Sequence, residues 1–329
     1  MGLIGAGGFG IIHLEGYQKN PNCELVSVAS RTFKHTKNAA DKFNIPKIYI
    51  GDEWHNMLRN ENLDVVSICT PNFLHAPMTI EAIDNNINIL CEKPICISNK
   101  QLIEVEKRLK TKELIFFTSF QKRYISCLPL IKKIIANEII GKLLLVDYHF
   151  SHYGPYKSWQ AISEEKWFFN SEKAGGGVLL DLGVHCIDLL RYLVGEYSEI
   201  KGINFNTHCI DITNEDTSSV LFNFQNDVTG MITVSWCLEP LEILKIYGTK
   251  GIFNIDLRTK KIIYYRPIKL KRSPIFKEAL SHKEPRMNTQ YELINHFITC
   301  VLNKKQEHPD FHDGKKAVEF VLKAYSLKK

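Results

Sequence analysis

Apolar and polar positions along the first 120 residues switch repeatedly between two periods. "LIGAG" is a short apolar strand running into glycines, "FGIIHLEGYQK" has helical spacing, and "CELVSVAS" returns to strand. The alternation continues through "TKNAADKFN", "KIYIG", "EWHNMLRNEN", "DVVSICTP", "APMTIEAIDNN", "NILCEKP" and "NKQLIEVEKRLKTK", and ends in the strand "LIFFTSF". Strands separated by helices predict a parallel sheet. "DVVSICTP" is apolar on both faces, as a central strand of such a sheet should be. Only four residues precede Gly5, which is short for a middle strand. The expectation is a clipped first strand and a natural start a few residues upstream.

After residue 120 the pattern changes. "LLLVDYHFSHY" begins a series of longer alternating strands. "SVLFNFQNDVTGMITVSW" holds an Asn-Asp turn between two alternating runs, and "ILKIYGTKGIFNIDL" holds a Gly-Thr-Lys-Gly turn. Both are hairpin signals. They predict a large, mostly antiparallel sheet with helices packed on one side, an α+β arrangement. "NTQYELINHFITCVLN" and "GKKAVEFVLKAYSLKK" close the chain as amphipathic helices. The domain boundary is expected at 120/121, with an α/β domain over 1–120 and an α+β domain over 121–329.

Within the second half, "GGGVLLDLGVHCIDLLRYLVG" (175–195) reads as a helix that is apolar almost all round, hence buried. It nevertheless carries Asp181, His185 and Asp188, whose spacing puts them on one face. Buried carboxylates need partners, so this row is either a polar network that orients the helix or a catalytic constellation.

Composition narrows the function classes. A chain that is 44% hydrophobic and 24% charged is an ordinary globular protein. It shows no apolar run long enough for a membrane span and no secretory leader pattern, which predicts a cytoplasmic protein with no membrane partner. A net charge of +6, from 42 basic and 36 acidic residues, is too mild to indicate nucleic acid. One segment is sharper: "RTKKIIYYRPIKLKR" (258–272) has seven basic residues and no acid. It reads either as a solvated strand and loop or as a rim that attracts an anionic ligand. The nine cysteines are scattered without a C-x-x-C pair, so reduced thiols are expected.

Candidate chemistry starts at Gly5-Ala6-Gly7-Gly8-Phe9-Gly10, which fits G-x-G-x-x-G between a strand and a helix. Glycines there let backbone N–H groups approach a pyrophosphate at a helix N-terminus. Gly5, Gly7, Gly8, Phe9 and Gly10 are therefore cofactor candidates. An acid that would grip an adenosine ribose belongs at the end of the second strand, yet that place reads "VASRTFK". Ser30 and Arg31, with Lys34 nearby, favour a 2′-phosphate and thus NADP over NAD, with NAD still possible. Lys93, in "CEKPI", follows a later strand of the parallel sheet, the end at which ligands bind. A lysine in a partly dry site can polarise an alcohol oxygen.

At this point the chain resembles the Gfo/Idh/MocA oxidoreductase family. The resemblance rests on "GAGGFG", "CTPNFLHA", "CEKP", "FQKRY", "AGGGVLLDLGVHCIDLLRYLVG" and the closing amphipathic helices, and runs nearly the full length. It implies a Rossmann dinucleotide-binding domain followed by a substrate domain whose open-faced sheet forms a homodimer or homotetramer interface. It implies a cis peptide before Pro94 that directs Lys93. It also implies an NAD(P)-dependent dehydrogenase or reductase acting on a CH–OH or ketone carbon of a sugar, nucleotide sugar, inositol or diol. In that pattern Lys93, Asp181 and His185 are the catalytic set. His185 exchanges the hydroxyl proton, Lys93 holds and polarises the reacting oxygen, and Asp181 binds substrate and tunes the other two. Thr70, Pro71, Asn72, His75 and Glu92 match positions beside the cofactor. Arg123 falls near the active site in the family, although members commonly read closer to N-R-R-F where this chain has Gln121-Lys122-Arg123-Tyr124. Tyr156, Trp159 and Trp167, in the segment before the buried helix, offer surfaces for a sugar ring or the cofactor. Phe168 stands where many relatives carry a basic residue.

The resemblance implies no metal, and the pairs His149/His152 and His308/His312 lack a clear third ligand in sequence. A reading from another class is a catalytically silent NADP-binding regulator or interaction protein. The intact Lys93, Asp181 and His185 argue against it. Sugar binding without a cofactor would leave the glycine turn unexplained.

Overall fold

The computed structural model describes residues 1–157, 167–208, 212–265, 272–273 and 288–327. It divides into two units. The first holds Met1–Gln121, Glu172–Gly175 and Asn288–Glu319, and the second the rest of the chain.

In the first unit, strands β1 (Gly2–Ile4), β2 (Ser27–Ser30), β3 (Lys47–Ile50), β4 (Val65–Ile68), β5 (Asn88–Cys91) and β6 (Phe116–Thr118) alternate with helices α1 (Gly8–Lys19), α2 (Phe33–Phe43), α3 (Trp54–Asn60), α4 (Asn72–Asp84) and α5 (Asn99–Leu109). The sheet runs in the order β3-β2-β1-β4-β5-β6, all parallel. The chain leaves β1 toward β2 on one side and returns to β4 on the other. This switch point opens a crevice at the carboxyl ends of the strands. Leu3, Leu14, Val28, Ala39, Ala40 and Phe43 bury their apolar faces together between strands and helices. Local sequence sets the helix ends: Thr32 caps α2 by accepting the His35 N–H at 3.4 Å, and Ser98 caps α5 by accepting from Gln101.

In the second unit, β7 (Leu143–Ser151), β8 (Tyr197–Asn206), β9 (Thr217–Phe224), β10 (Thr229–Ser235), β11 (Leu241–Gly248), β12 (Gly251–Asp256), β13 (Lys261–Tyr265) and β14 (Arg272–Ser273) form an eight-stranded sheet. Its order is β14-β13-β12-β11-β7-β10-β9-β8, antiparallel except for the parallel β7–β10 pair. Both expected hairpins are present, β9–β10 and β11–β12. Val220, Phe222, Ile232 and Val234 alternate into the core, whereas Leu221, Leu144 and Leu241 lie exposed. Helix α6 (Leu128–Ala136), the single turns α7 (Gly154–Lys157) and α8 (Ser171–Ala174), and α9 (Val184–Val194) complete this stretch of chain, with α8 belonging to the first unit. The chain closes in α10 (Thr289–Leu302) and α11 (Phe311–Ser326).

One expectation is corrected. The sequence predicts two consecutive domains, but residues 288–319 belong with the first unit. Helix α10 packs along α1, where Tyr291 donates to the Glu15 carboxylate at 2.9 Å and Asn20 to Asn295 at 2.9 Å. The Thr118 hydroxyl donates to the Asp310 carbonyl at 2.8 Å. Amphipathic spacing shows that a helix packs on something, not on what.

Candidate active site

The glycine turn leads from β1 into α1. Gly5 has φ +99°, and a side chain there would meet the Cys69 carbonyl at 2.4 Å. A Cβ on Gly10 would stand 1.9 Å from the Gly5 carbonyl oxygen. Only glycine permits this turn. Gly7 ends the turn with open space where a side chain would be, and no side chain caps α1. No acidic residue occupies the first turn, so its N–H groups and the positive end of the helix dipole remain available to an anion. The cradle fits the diphosphate of a dinucleotide. Ser30 ends β2, and Arg31 follows on the surface, with Thr32 starting the cap of α2.

Two further loops reach the same carboxyl edge of the sheet. After β4 the chain passes Thr70 and Pro71 into α4. Pro71 stands immediately before that helix, and the buried Asn72 donates to the Ala174 carbonyl at 2.9 Å. After β5 come Glu92, the half-buried Lys93 and Pro94, with the Lys93–Pro94 peptide cis as the resemblance implies. His75 links the two loops, its Nδ1 lying 2.7 Å from the Pro94 carbonyl and its Nε2 2.7 Å from that of Thr70. Burial holds its imidazole below the ordinary pKa, against the opposing pull of the two carbonyls. The structure thus uses His75 as a tie between loops.

Glu92 is buried and heads a polar chain that sequence reasoning missed. It accepts from His13 Nε2 at 3.0 Å and from the Lys93 N–H at 3.2 Å. His13 Nδ1 meets the Ser67 hydroxyl at 3.1 Å, and Ser67 meets Tyr17 at 2.7 Å. Burial pushes the Glu92 carboxyl upward, but the His13 bond and neighbouring charge outweigh it and hold the pKa below the ordinary value. The network fixes the backbone that carries Lys93. Its members come from α1, β4 and the segment after β5, and only Glu92 stands in a recognisable motif.

In the second unit the buried helix begins with a π turn, Leu179–Gly183, and continues as α9. Such wider turns occur often at functional sites. Asp181 lies on the π turn and accepts the Trp236 indole N–H at 3.0 Å. His185 is buried in the first turn of α9. Asp188 takes both Arg123 Nε, at 2.9 Å, and Nη2, at 2.6 Å. The pair is almost wholly buried, so the structure places Arg123, a substrate candidate, as the counter-ion of Asp188. The neighbouring Lys122 pairs with Glu242 at 2.6 Å and lies over the Phe150 ring.

Two more residues escaped the sequence. Glu215 Oε1 accepts the Leu179 N–H at 3.1 Å and the Tyr325 hydroxyl at 2.6 Å, while its carbonyl accepts the Val178 N–H at 3.0 Å. Tyr325 in turn accepts the Gly177 N–H at 3.1 Å. Together they satisfy the orphan donors at the start of the helix that bears Asp181 and His185. Neither belongs to a local motif, because the contacts join the segment before β9, and α11, to a distant turn.

Tyr156 donates to Asp216 at 3.2 Å and stacks on Phe169, and Trp167 stacks on Phe168. Trp159 lies outside the described residues. Of the basic 258–272 segment, Arg258 donates to the Pro240 carbonyl and Lys261–Tyr265 form β13, while residues 266–271 lie outside the described residues. Among the described residues no helix is long and apolar enough to cross a membrane.

A family model described as "Oxidoreductase family, NAD-binding Rossmann fold" matches residues 1–120, and one described as "GFO/IDH/MocA C-terminal domain" matches residues 130–254. The chain belongs to the Gfo/Idh/MocA oxidoreductase family. Levoglucosan dehydrogenase of Pseudarthrobacter phenanthrenivorans is 30% identical over 224 residues, covering 62% of this chain and 53% of that enzyme. Myo-inositol 2-dehydrogenase of Thermotoga maritima is 22% identical over 273 residues, covering 80% of this chain and 77% of that one. Among solved structures, levoglucosan dehydrogenase in complex with NADH and levoglucosan superposes with a TM-score of 0.83 at 22% identity, over 100% of this chain and 97% of that chain. This family member is therefore an oxidoreductase with an NAD-binding Rossmann domain.

Proposed function

We propose that the protein moves hydride between a nicotinamide cofactor, NADP(H) in preference to NAD(H), and a CH–OH or ketone carbon of a sugar, nucleotide sugar, inositol or diol. The observation that carries this reading is the buried Asp181 and His185 on a π turn and its helix, in a chain whose glycine turn fits a dinucleotide diphosphate. The names of the relatives, dehydrogenases of levoglucosan and myo-inositol, support the substrate class.

The first turn of α1 holds the diphosphate through its N–H groups. Ser30 and Arg31, where other dinucleotide folds place a carboxylate, suit a 2′-phosphate. The bound nicotinamide supplies the hydride chemistry. Lys93 donates to the reacting oxygen and stabilises the charge that gathers on it. His185 takes the hydroxyl proton during oxidation and returns it during reduction. Asp181, oriented by the Trp236 indole, binds substrate hydroxyls. The exposed sheet face, with Leu144, Leu221 and Leu241 along it, suits association into a homodimer or homotetramer.

Titration with NADPH and NADH, followed by nicotinamide fluorescence, tests the cofactor. Tighter NADPH binding is expected, and tighter NADH binding overturns the role given to Arg31. A panel of polyols, sugars and sugar phosphates with the preferred cofactor tests the reaction. Cofactor binding without turnover of any member would favour a silent binding protein. Light scattering after gel filtration reads the oligomer.

A further inference from the structure

We propose that His296, Cys300 and Glu307 form a transition-metal site of the Zn²⁺ class on the first unit, separate from the residues assigned to catalysis. The imidazole, thiol and carboxylate ligand atoms all lie within 4.8 Å of one another. Nitrogen, sulfur and oxygen donors in one cluster suit a borderline-soft ion and discriminate against Mg²⁺ and Ca²⁺, which take oxygen.

The site is preorganised. His296 and Cys300 stand four apart on α10 and so share one face. The His296 ring is braced edge-on against Phe117 of the edge strand β6 at 5.2 Å. Glu307 arrives on the connection after α10, and that connection is fixed at both sides. The Lys305 N–H donates to the Cys300 carbonyl at 3.0 Å. The Gln306 amide bonds both polar groups of the Phe116 backbone, accepting at 2.8 Å and donating at 3.0 Å. Glu307 Oε2 already meets His296 Nε2 at 3.0 Å, while Oε1 takes Lys305 at 2.6 Å. A metal bound through Oε2, Nε2 and Sγ leaves that lysine bond in place as an outer contact that orients the carboxylate. His296 and Glu307 are partly exposed, which leaves an entry path and a fourth position for water. Cys300 is buried, so the thiol side of the cluster is shielded from solvent.

The neighbouring His308, Asp310 and Asp313 also approach one another, but they already serve another purpose. Asp313 accepts from the Asp310 N–H at 3.2 Å and from His308 at 2.8 Å, while Asp310 accepts the Asp313 N–H, closing the first turn of α11. They make the control.

Chelator-treated full-length protein is titrated with Zn²⁺, and with Co²⁺ as a spectroscopic probe. The expected result is one saturable equivalent at micromolar metal, a thiolate-to-cobalt charge-transfer band, and a rise in Tm with Zn²⁺. Cys300→Ser abolishes the band, and His296→Gln weakens Zn²⁺ binding by about tenfold or more. Circular dichroism and nucleotide titration of both variants show that they remain folded. Absence of saturable binding, a band that persists in Cys300→Ser, or binding lost only in His308→Asn overturns the proposal.

Discussion

Lys93 and His185 reach their positions by different routes, and their substitution separates binding from chemistry. Lys93 follows a parallel strand, and His185 lies in a helix with hardly any polar face. Lys93→Met and His185→Asn are each expected to lower kcat by about 10²–10⁴-fold, while nucleotide affinity changes little. Stopped-flow turnover beside fluorescence titration checks this. Arg31→Ala is expected to weaken NADPH by about 10–100-fold, as the loss of a charge-assisted bond would, and to leave NADH nearly unchanged. These residues were legible in the sequence because each stands in a local motif. The partners were not. His13, Ser67 and Tyr17 support Glu92 from 25 to 79 positions away along the chain only because α1 and β4 pack on β5. His75 was legible as a residue beside the cofactor loop, but its two carbonyl contacts depend on how two strand ends converge.

At the scale of elements, the buried helix is held by charge at one flank and by the capping of its first N–H donors at its start. Arg123 and Asp188 form a bidentate pair with almost no solvent contact. Asp188→Ala leaves an uncompensated buried guanidinium and is expected to cost about 3–5 kcal/mol. For a unit of this size that lowers Tm by on the order of 10 °C. The double replacement Arg123→Met with Asp188→Leu is expected to recover most of the loss, measured by urea and thermal unfolding. Glu215→Ala removes the acceptor for Leu179 and Tyr325 and is expected to cost about 1–3 kcal/mol. Its kcat should fall more than its nucleotide affinity, because the turn it supports bears Asp181. Periodicity placed this helix, its burial and its polar row. It did not show the π turn, since one extra residue in a turn leaves no mark on an apolar segment. Nor did it separate Asp188 from Asp181, because the two differ in their distant partners, Arg123 and Trp236.

For the whole molecule, acid should be more harmful than alkali near neutrality. Burial holds His75 below its ordinary value of 6.5, so the unfolded chain binds this proton first. The stability it contributes is intact above pH 6.5 and is lost as pH falls from there toward its folded value. Glu92, held below its ordinary 4.5, adds a second loss in the same direction beneath that pH. Urea midpoints are expected to fall as pH drops below 6.5, and His75→Gln should flatten that limb. The fold itself was largely readable, because strand and helix periods are local properties. The path of the chain was not, and it bears on synthesis. The first unit includes residues 288–319, so a ribosome must make the entire second sheet before the face of α1 that receives α10 can be covered. During that interval the nascent nucleotide-binding half presents bare apolar surface, and a chaperone that recognises such surface has its longest opportunity there.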